Sequence, residues 1–103
     1  MKNKKPYRSA KPFFQKLLKD REIRIHFEEE KSKTEIAHAV RTARMRADLT
    51  QAELAKLIGT TQSVIARREG GSDKRVPSIP LLARIAAACG AHFEFGFTFS
   101  KVS

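Results

Sequence analysis

Two short helices separated by a tight turn are the clearest elements that the hydrophobic pattern of this chain predicts. Over residues 51–58 the apolar side chains are spaced to form one wide helix face: Ala52, Leu54, Ala55, Leu57 and Ile58. Thr50 and Glu53 have the Thr-x-x-Glu spacing of a capping box, so the first helix is predicted to begin at Gln51. Gly59 can adopt the positive φ that ends a helix at little cost, so we expect the chain to turn directly after it.

The second helix of this pair is predicted over Gln62–Glu69, with Thr61 as its N-cap. Its apolar residue Ile65 is expected to point into the core. Another face carries side chains that suit base edges or a thymine methyl group: Gln62, Ser63, Ala66 and Arg67. The pair is therefore predicted to be a helix-turn-helix unit that binds DNA.

Two further helices are predicted on either side of this pair. The first covers Thr34–Ala47, because its apolar residues recur at three- and four-residue spacing: Ile36, Val40, Ala43 and Ala47. The last covers Ile79–Cys89, with Ser78 as its N-cap, Gly90 as its stop and an apolar face: Leu82, Ile85, Ala86 and Cys89. The glycine and proline content of residues 70–77 predicts a loop before it.

Residues 35–90 resemble the repressor-type helix-turn-helix family, of which the phage lambda and 434 repressors are typical. The resemblance rests on the capping box, the turn glycine, the polar face of the second helix and their spacing. It implies base contacts in the major groove from Gln62, Ser63, Ala66 and Arg67. It also implies a partly buried ion pair between Arg44 and Glu69, which ties the first helix of this domain to the third.

The same resemblance implies contacts with the DNA backbone. The residues expected to make them are Gln51, Thr61, Arg68, Lys74 and Arg75. Arg68 departs from the family pattern, in which a large apolar residue is usual, and its aliphatic stem is expected to cover the core while its guanidinium group emerges. Lys74 and Arg75 lie in the loop, for which a solvated loop without DNA contacts is the alternative.

The N-terminal third of the chain carries a separate pattern. Residues 1–11 contain five basic side chains and no acidic one, which predicts a disordered arm that is either a solvated tail or an additional DNA contact. In residues 12–32, Phe13, Phe14, Leu17 and Leu18 are spaced for a helix that Pro12 begins, and Asp20 is a candidate cap for another. Residues 23–27 fit a helical stripe or an alternating strand, and the glutamates after them favour a helix.

The C-terminal residues 91–103 differ from those of a minimal repressor. Phe93, Phe95, Phe97 and Phe99 alternate along the chain, so a strand would place all four rings on one face. A single strand leaves its edges unpaired, and the simplest partner is the same strand of a second copy, in an antiparallel pair. The alternative is pairing with residues 23–27 of the same chain. The predicted fold is thus a mainly α bundle of about five helices, with extra N-terminal helices and one C-terminal β-strand that pairs in a dimer.

This arrangement resembles the antitoxins of bacterial toxin-antitoxin modules, above all the HigA type. The resemblance implies a homodimer that binds a palindromic operator in double-stranded DNA, represses its own operon and neutralises a cognate toxin, a RelE- or HigB-like mRNA interferase. Residues 12–32 are expected either to dock the toxin or to pack as an additional layer on their own domain, and residues 33–90 are the expected DNA-binding domain. The candidate toxin contacts are Phe13, Phe14, Leu17, Ile23, Phe27 and Glu28. The alternatives are a stand-alone or phage-type repressor and a HipB-like antitoxin of a kinase toxin.

Charge and composition limit the remaining possibilities. The 103-residue chain has 21 Lys and Arg against 11 acidic residues, a formal net charge of +10 that favours nucleic acids as partners. An RNA-binding protein would fit this charge, but it would not explain the capped helix-turn-helix. The single Cys89 allows no disulfide within one chain, and no apolar run is long enough for a membrane span or a signal peptide, so a cytoplasmic protein is expected. The histidines show no metal-ligand spacing, and we expect no enzymatic activity and no cofactor.

Overall fold

The computed structural model describes residues 4–70 and 75–99, with side chains from residue 12 onward. Its described residues form four α-helices and no β-strand: α1 Lys4–Arg46, α2 Gln51–Ile58, α3 Gln62–Gly70 and α4 Ile79–Ala88. The mainly α bundle is confirmed, whereas the predictions of five helices and a C-terminal strand are not. The chain divides into two units, Met1–Lys33 and Thr34–Ser103, which are described separately.

The first unit contains one helical segment where the sequence analysis predicted a disordered arm and short capped helices. The backbone of residues 4–11 is already helical, and α1 passes Pro12 and Asp20 without a break. Isolated start signals do not break the helix here, because Lys, Arg and Glu dominate this segment and all favour a helix. Residues 23–27 belong to the same helix, so the alternating strand is wrong there.

The core of the second unit forms where α2 packs against α3 and α4. Its buried side chains are Val40, Leu54, Ala55, Ile58, Ile65, Leu82 and Ile85. Leu54 and Ile65 are the fully buried pair among the described residues, with 0% exposure each. These positions belong to the apolar faces that the three- and four-residue spacing predicted.

The ends of the helices follow local sequence signals. α1 ends at Arg46, and Asp48 adopts a left-handed conformation with φ 60°, which lets the chain reverse into α2. At the start of α4 the hydroxyl of Ser78 accepts a hydrogen bond from the backbone N–H of Leu81, at 3.2 Å. After α4, Gly90 has φ 70°, so the chain leaves the helix through a conformation that suits glycine.

Residues 91–99 form neither a helix nor a strand. The strand that the alternating phenylalanines predicted is therefore absent from the single chain, because a strand exists only when a neighbour completes its hydrogen bonds. The alternative pairing with residues 23–27 is wrong, since those residues are helical. Phe93 packs against the core, and its ring stacks on that of Phe95 at a centroid distance of 6.1 Å.

Candidate nucleic-acid interface

The first helix of the pair is fixed at its N-terminus by a complete capping box. The hydroxyl of Thr50 accepts a hydrogen bond from the N–H of Glu53 at 3.0 Å. The N–H of Thr50 in turn donates to the Glu53 carboxylate at 2.8 Å. Both predicted bonds are present, so α2 begins at Gln51 with its first turn anchored from both sides.

The turn between α2 and α3 depends on Gly59. Its backbone has φ 77° and ψ 36°, a left-handed conformation that strains any residue with a Cβ. The next residue, Thr60, donates its N–H to the carbonyl of Ala55 at 2.8 Å, which closes the end of α2. The guanidinium group of Arg84 also donates to the carbonyl of Ile58. Together these contacts set the angle at which the chain enters α3.

The second helix of the pair is held by a single apolar anchor. Ile65 is fully buried, while the hydroxyl of Thr61 accepts a hydrogen bond from the N–H of Val64 at 3.3 Å and caps the helix. The four predicted base-contacting side chains are all exposed: Gln62, Ser63, Ala66 and Arg67. Their spacing places them together on one side of α3, away from the anchor.

Arg44 and Glu69 lie together as a bidentate ion pair. The Arg44 Nε donates to Glu69 at 2.6 Å and its Nη2 donates at 2.9 Å. The side chains are 13% and 4% exposed, so the pair is shielded from solvent. Arg44 also donates to the carbonyl of Leu49 at 2.8 Å, and this fixes the connection that leads into α2.

Gln51 joins this pair to the helix-turn-helix surface. Its side-chain amide donates to the Glu69 carboxylate at 3.1 Å. Burial would raise the pKa of Glu69, but hydrogen bonds from Arg44 and Gln51 outweigh this effect and leave that pKa below its ordinary value. The hydrogen bond to Glu69 likewise raises the pKa of Arg44. Because an amide nitrogen has two N–H groups, Gln51 retains a second donor for a phosphate oxygen.

The other predicted backbone-contacting residues have different settings. Thr61 and Arg75 are exposed, whereas Arg68 is half-buried and its Nε is shielded from solvent. Arg68 therefore occupies the apolar family position with part of its side chain covered, as expected from its long aliphatic stem. Lys74 lies outside the described residues.

The predicted toxin-contacting side chains of the first unit do not share one face of α1. Phe13, Phe14 and Leu17 lie within about one turn of each other, and all three are exposed. Ile23 follows Phe14 by about 2.5 turns, so it lies on the opposite side of the helix. Phe27 is one turn beyond Ile23, and Glu28 is also exposed.

The longest apolar line on this unit includes residues that the prediction did not select. Phe14, Leu18 and Ile25 follow one another at spacings of about one and two turns, so they form a stripe along one side of the helix. All three are exposed. Arg21 lies on the same side, between Leu18 and Ile25. Leu18 and Ile25 could have been found by projecting one continuous helix, but the predicted break near Asp20 separated them.

In the described part of the chain, the cysteine and the metal-ligating types of side chain do not come together as a metal site. Cys89 is a free, half-buried cysteine, and its burial raises the pKa of the thiol. Among the described residues there is no group of three or more His, Cys, Asp or Glu side chains placed to hold a metal ion. Nor does any helix in these residues combine the length and apolar content that crossing a membrane requires.

The comparison with protein families agrees with this geometry. A family model described as helix-turn-helix, HTH_3, matches residues 40–95. The matched region contains α2, α3 and α4 and both partners of the ion pair, and it ends within the aromatic C-terminal segment. No curated protein sequence matches the chain.

Proposed function

The chain belongs to the helix-turn-helix family HTH_3, and we propose that it is an antitoxin that represses its own operon and neutralises a cognate toxin. The family match covers more than half of the chain and makes it a sequence-specific DNA-binding protein of the repressor type. The partner, the operator and the roles of individual residues are the proposed part.

The exposed face of α3 carries the DNA part of the proposal. Ile65 fixes the helix from inside while Gln62, Ser63 and Arg67 are exposed on its outer side. We propose that these three contact base edges in the major groove, with Ala66 against a thymine methyl group. Gln51, Thr61, Arg68, Lys74 and Arg75 are proposed to hold backbone phosphates, which position the protein and do not select the sequence.

Loss of a base contact and loss of a backbone contact should lower the affinity for operator and random DNA to different extents. Arg67→Ala should weaken binding to the operator by about 1–3 kcal/mol and relax the preference at one base pair of each half-site. Arg75→Ala, on the loop, is the matched control and should weaken operator and random DNA alike. Fluorescence anisotropy with both DNAs at one salt concentration measures the difference. Equal losses on the two DNAs for both variants would contradict these roles.

The apolar stripe of the first unit supports a protein partner. Phe14, Leu18 and Ile25 are exposed on a helix that also carries exposed acidic side chains, including Glu28 and Glu29. Residues 28–30 are three consecutive glutamates in a chain with a net charge of +10, and this acidic run suits a basic partner. A RelE- or HigB-like mRNA interferase is the proposed partner class.

Co-expression with the neighbouring reading frame tests this partner. If that frame encodes a toxin, its expression alone should stop growth, and the present chain should restore growth. Phe14→Asp combined with Leu18→Asp should abolish the rescue and the copurification, while specific DNA binding is retained. Lys16→Asp, at an exposed position on the opposite side of the same helix and outside the predicted toxin contacts, is the matched control. A neighbouring frame without toxicity would favour a stand-alone repressor.

We further propose that the protein binds its operator as a homodimer formed through residues 93–99. A helix-turn-helix domain alone covers one half-site, and a twofold dimer covers a palindrome. Replacing Phe95 and Phe97 together with Ser should shift sedimentation towards the monomer, and it should reduce operator affinity far more than half-site affinity. A double variant that still sediments as a dimer would place the twofold contact elsewhere.

A further inference from the structure

An apolar groove lies in the second unit between the last turns of α1, α4 and the segment that follows α4. Its volume is about 260 Å³, and its lining includes Ile36, Val40 and Ile85. A cavity of about 150 Å³ is sufficient to hold a benzene ring. The groove is therefore large enough for one phenylalanine side chain.

The wall and the rim of this groove come from the aromatic segment itself. Phe93 lines the groove and packs against the core, while His92 and Glu94 beside it are 83% exposed and form a polar edge. An apolar floor with a polar rim is the usual composition of a protein-protein contact. Further along the same segment, Phe97 is 91% exposed.

We propose that the groove of one copy receives the Phe97 ring of a second copy, reciprocally about a twofold axis. This inference rests on the homodimer proposed above and identifies the contact that holds it. Each copy offers this groove and its own Phe97 ring, so a reciprocal pair of copies fills both grooves without leaving an open end. Burying the exposed rings Phe95, Phe97 and Phe99 of both copies would remove about 900–1,500 Å² of surface, where specific interfaces begin.

The distribution of charge favours a second copy as the occupant. The chain has 21 Lys and Arg residues, yet none lies between Ile85 and Phe99. Two strongly basic molecules repel each other over most of their surfaces, but they can approach at a segment that lacks basic side chains. The lining of the groove contains no Lys or Arg either.

Filling the groove from within tests this contact. Ala39 is exposed and lines the groove, so Ala39→Leu should occupy the space without disturbing the core. We expect the dissociation constant of the dimer to rise about 10- to 100-fold, as for the loss of one buried ring. Ala87→Leu, an exposed position of α4 that does not line the groove, should change it less than about twofold. Sedimentation equilibrium measures both constants.

A double variant and labelled mixtures identify the ring. Phe97→Ala should weaken the dimer like Ala39→Leu, and combining the two should add little, because both remove the same contact. In a mixture of isotope-labelled and unlabelled chains, the Phe97 ring should show intermolecular NOEs to the Ala39 and Ala43 methyl groups. The inference would be overturned if the two substitutions together raised the dissociation constant by the product of their separate effects. It would also be overturned if the Phe97 ring showed NOEs only within its own chain. If the wild type is a dimer and Ala39→Leu leaves its dissociation constant unchanged, the proposed groove contact is wrong but the homodimer stands. If the wild type is a monomer, both the contact and the homodimer are wrong.

Discussion

Leu54 and Ile65 of the helix-turn-helix core have no exposed surface, whereas Phe97 and Phe99 of the C-terminal segment are 91% and 88% exposed. All four side chains are large and apolar, so hydrophobicity alone does not distinguish them. The difference is the environment that each segment finds within one chain. α2, α3 and α4 bury their apolar faces against one another, while residues 95–99 have no element of the described chain to cover them. The first region stabilises the fold, whereas the second presents an exposed apolar surface of the kind that is found at interaction sites.

The largest expected effect separates these two regions by stability. Leu54→Ala should lower the free energy of unfolding by about 2–5 kcal/mol, since it removes a fully buried side chain and leaves a cavity. Phe99→Ala should change it by no more than about 0.5 kcal/mol when the chain is dilute enough to be monomeric. Urea unfolding at low protein concentration measures both values. Similar losses for the two variants would remove the contrast between the regions.

The second prediction tests whether the ion pair of Arg44 and Glu69 contributes to stability as the buried core does. Glu69→Ala should destabilise the fold by about 3 kcal/mol, because it leaves the shielded guanidinium group of Arg44 without its carboxylate. Glu35→Ala, an exposed glutamate of α1, is the control and should have little effect. Thermal and urea unfolding give the comparison. If the two variants unfold alike, the ion pair contributes no more than a surface contact.

The pH dependence of the free energy of unfolding tests the same ion pair through a smaller expected effect. The pKa of Glu69 is lowered in the folded chain, so its carboxylate adds stability above its unfolded pKa of about 4.3 and loses this contribution as the pH falls through the lower folded value. Glu69→Gln should therefore unfold more easily than the wild type by about 1–2 kcal/mol at pH 7. The difference should shrink as the pH approaches 3. A difference that stays constant over this range would contradict the assignment.

The smallest expected effect concerns the cap of α2. Thr50→Ala removes the hydroxyl that accepts the N–H of Glu53, and it should cost about 1 kcal/mol. Thr50→Ser keeps the hydroxyl and should remain close to the wild type. Thermal unfolding of the three chains at one concentration measures the cost. Identical melting for Thr50→Ala and Thr50→Ser would show that the cap adds nothing to the core region.

Short-range signals were sufficient to predict the helix-turn-helix pair. The capping box at Thr50 and the left-handed Gly59 depend on neighbours within a few residues, and both are present. The bond from Arg84 to Ile58 and the bond from Gln51 to Glu69 join residues far apart in sequence, so no local pattern predicted them. The helix breaks before residue 34 were predicted from start signals that high helix propensity overrides. The C-terminal strand was predicted from alternation, but its pairing requires a neighbour that one chain does not supply.

The single buried anchor of α3 has a consequence for how this protein can change over evolutionary time. Ile65 holds the helix from inside, while Gln62, Ser63, Ala66 and Arg67 lie outside the core. Substitutions at those four positions should therefore cost little stability, and with the base contacts proposed above they would alter the preferred operator. Diverging copies of this gene would then acquire separate regulatory targets while each keeps the same scaffold, so a new specificity would not require a new fold.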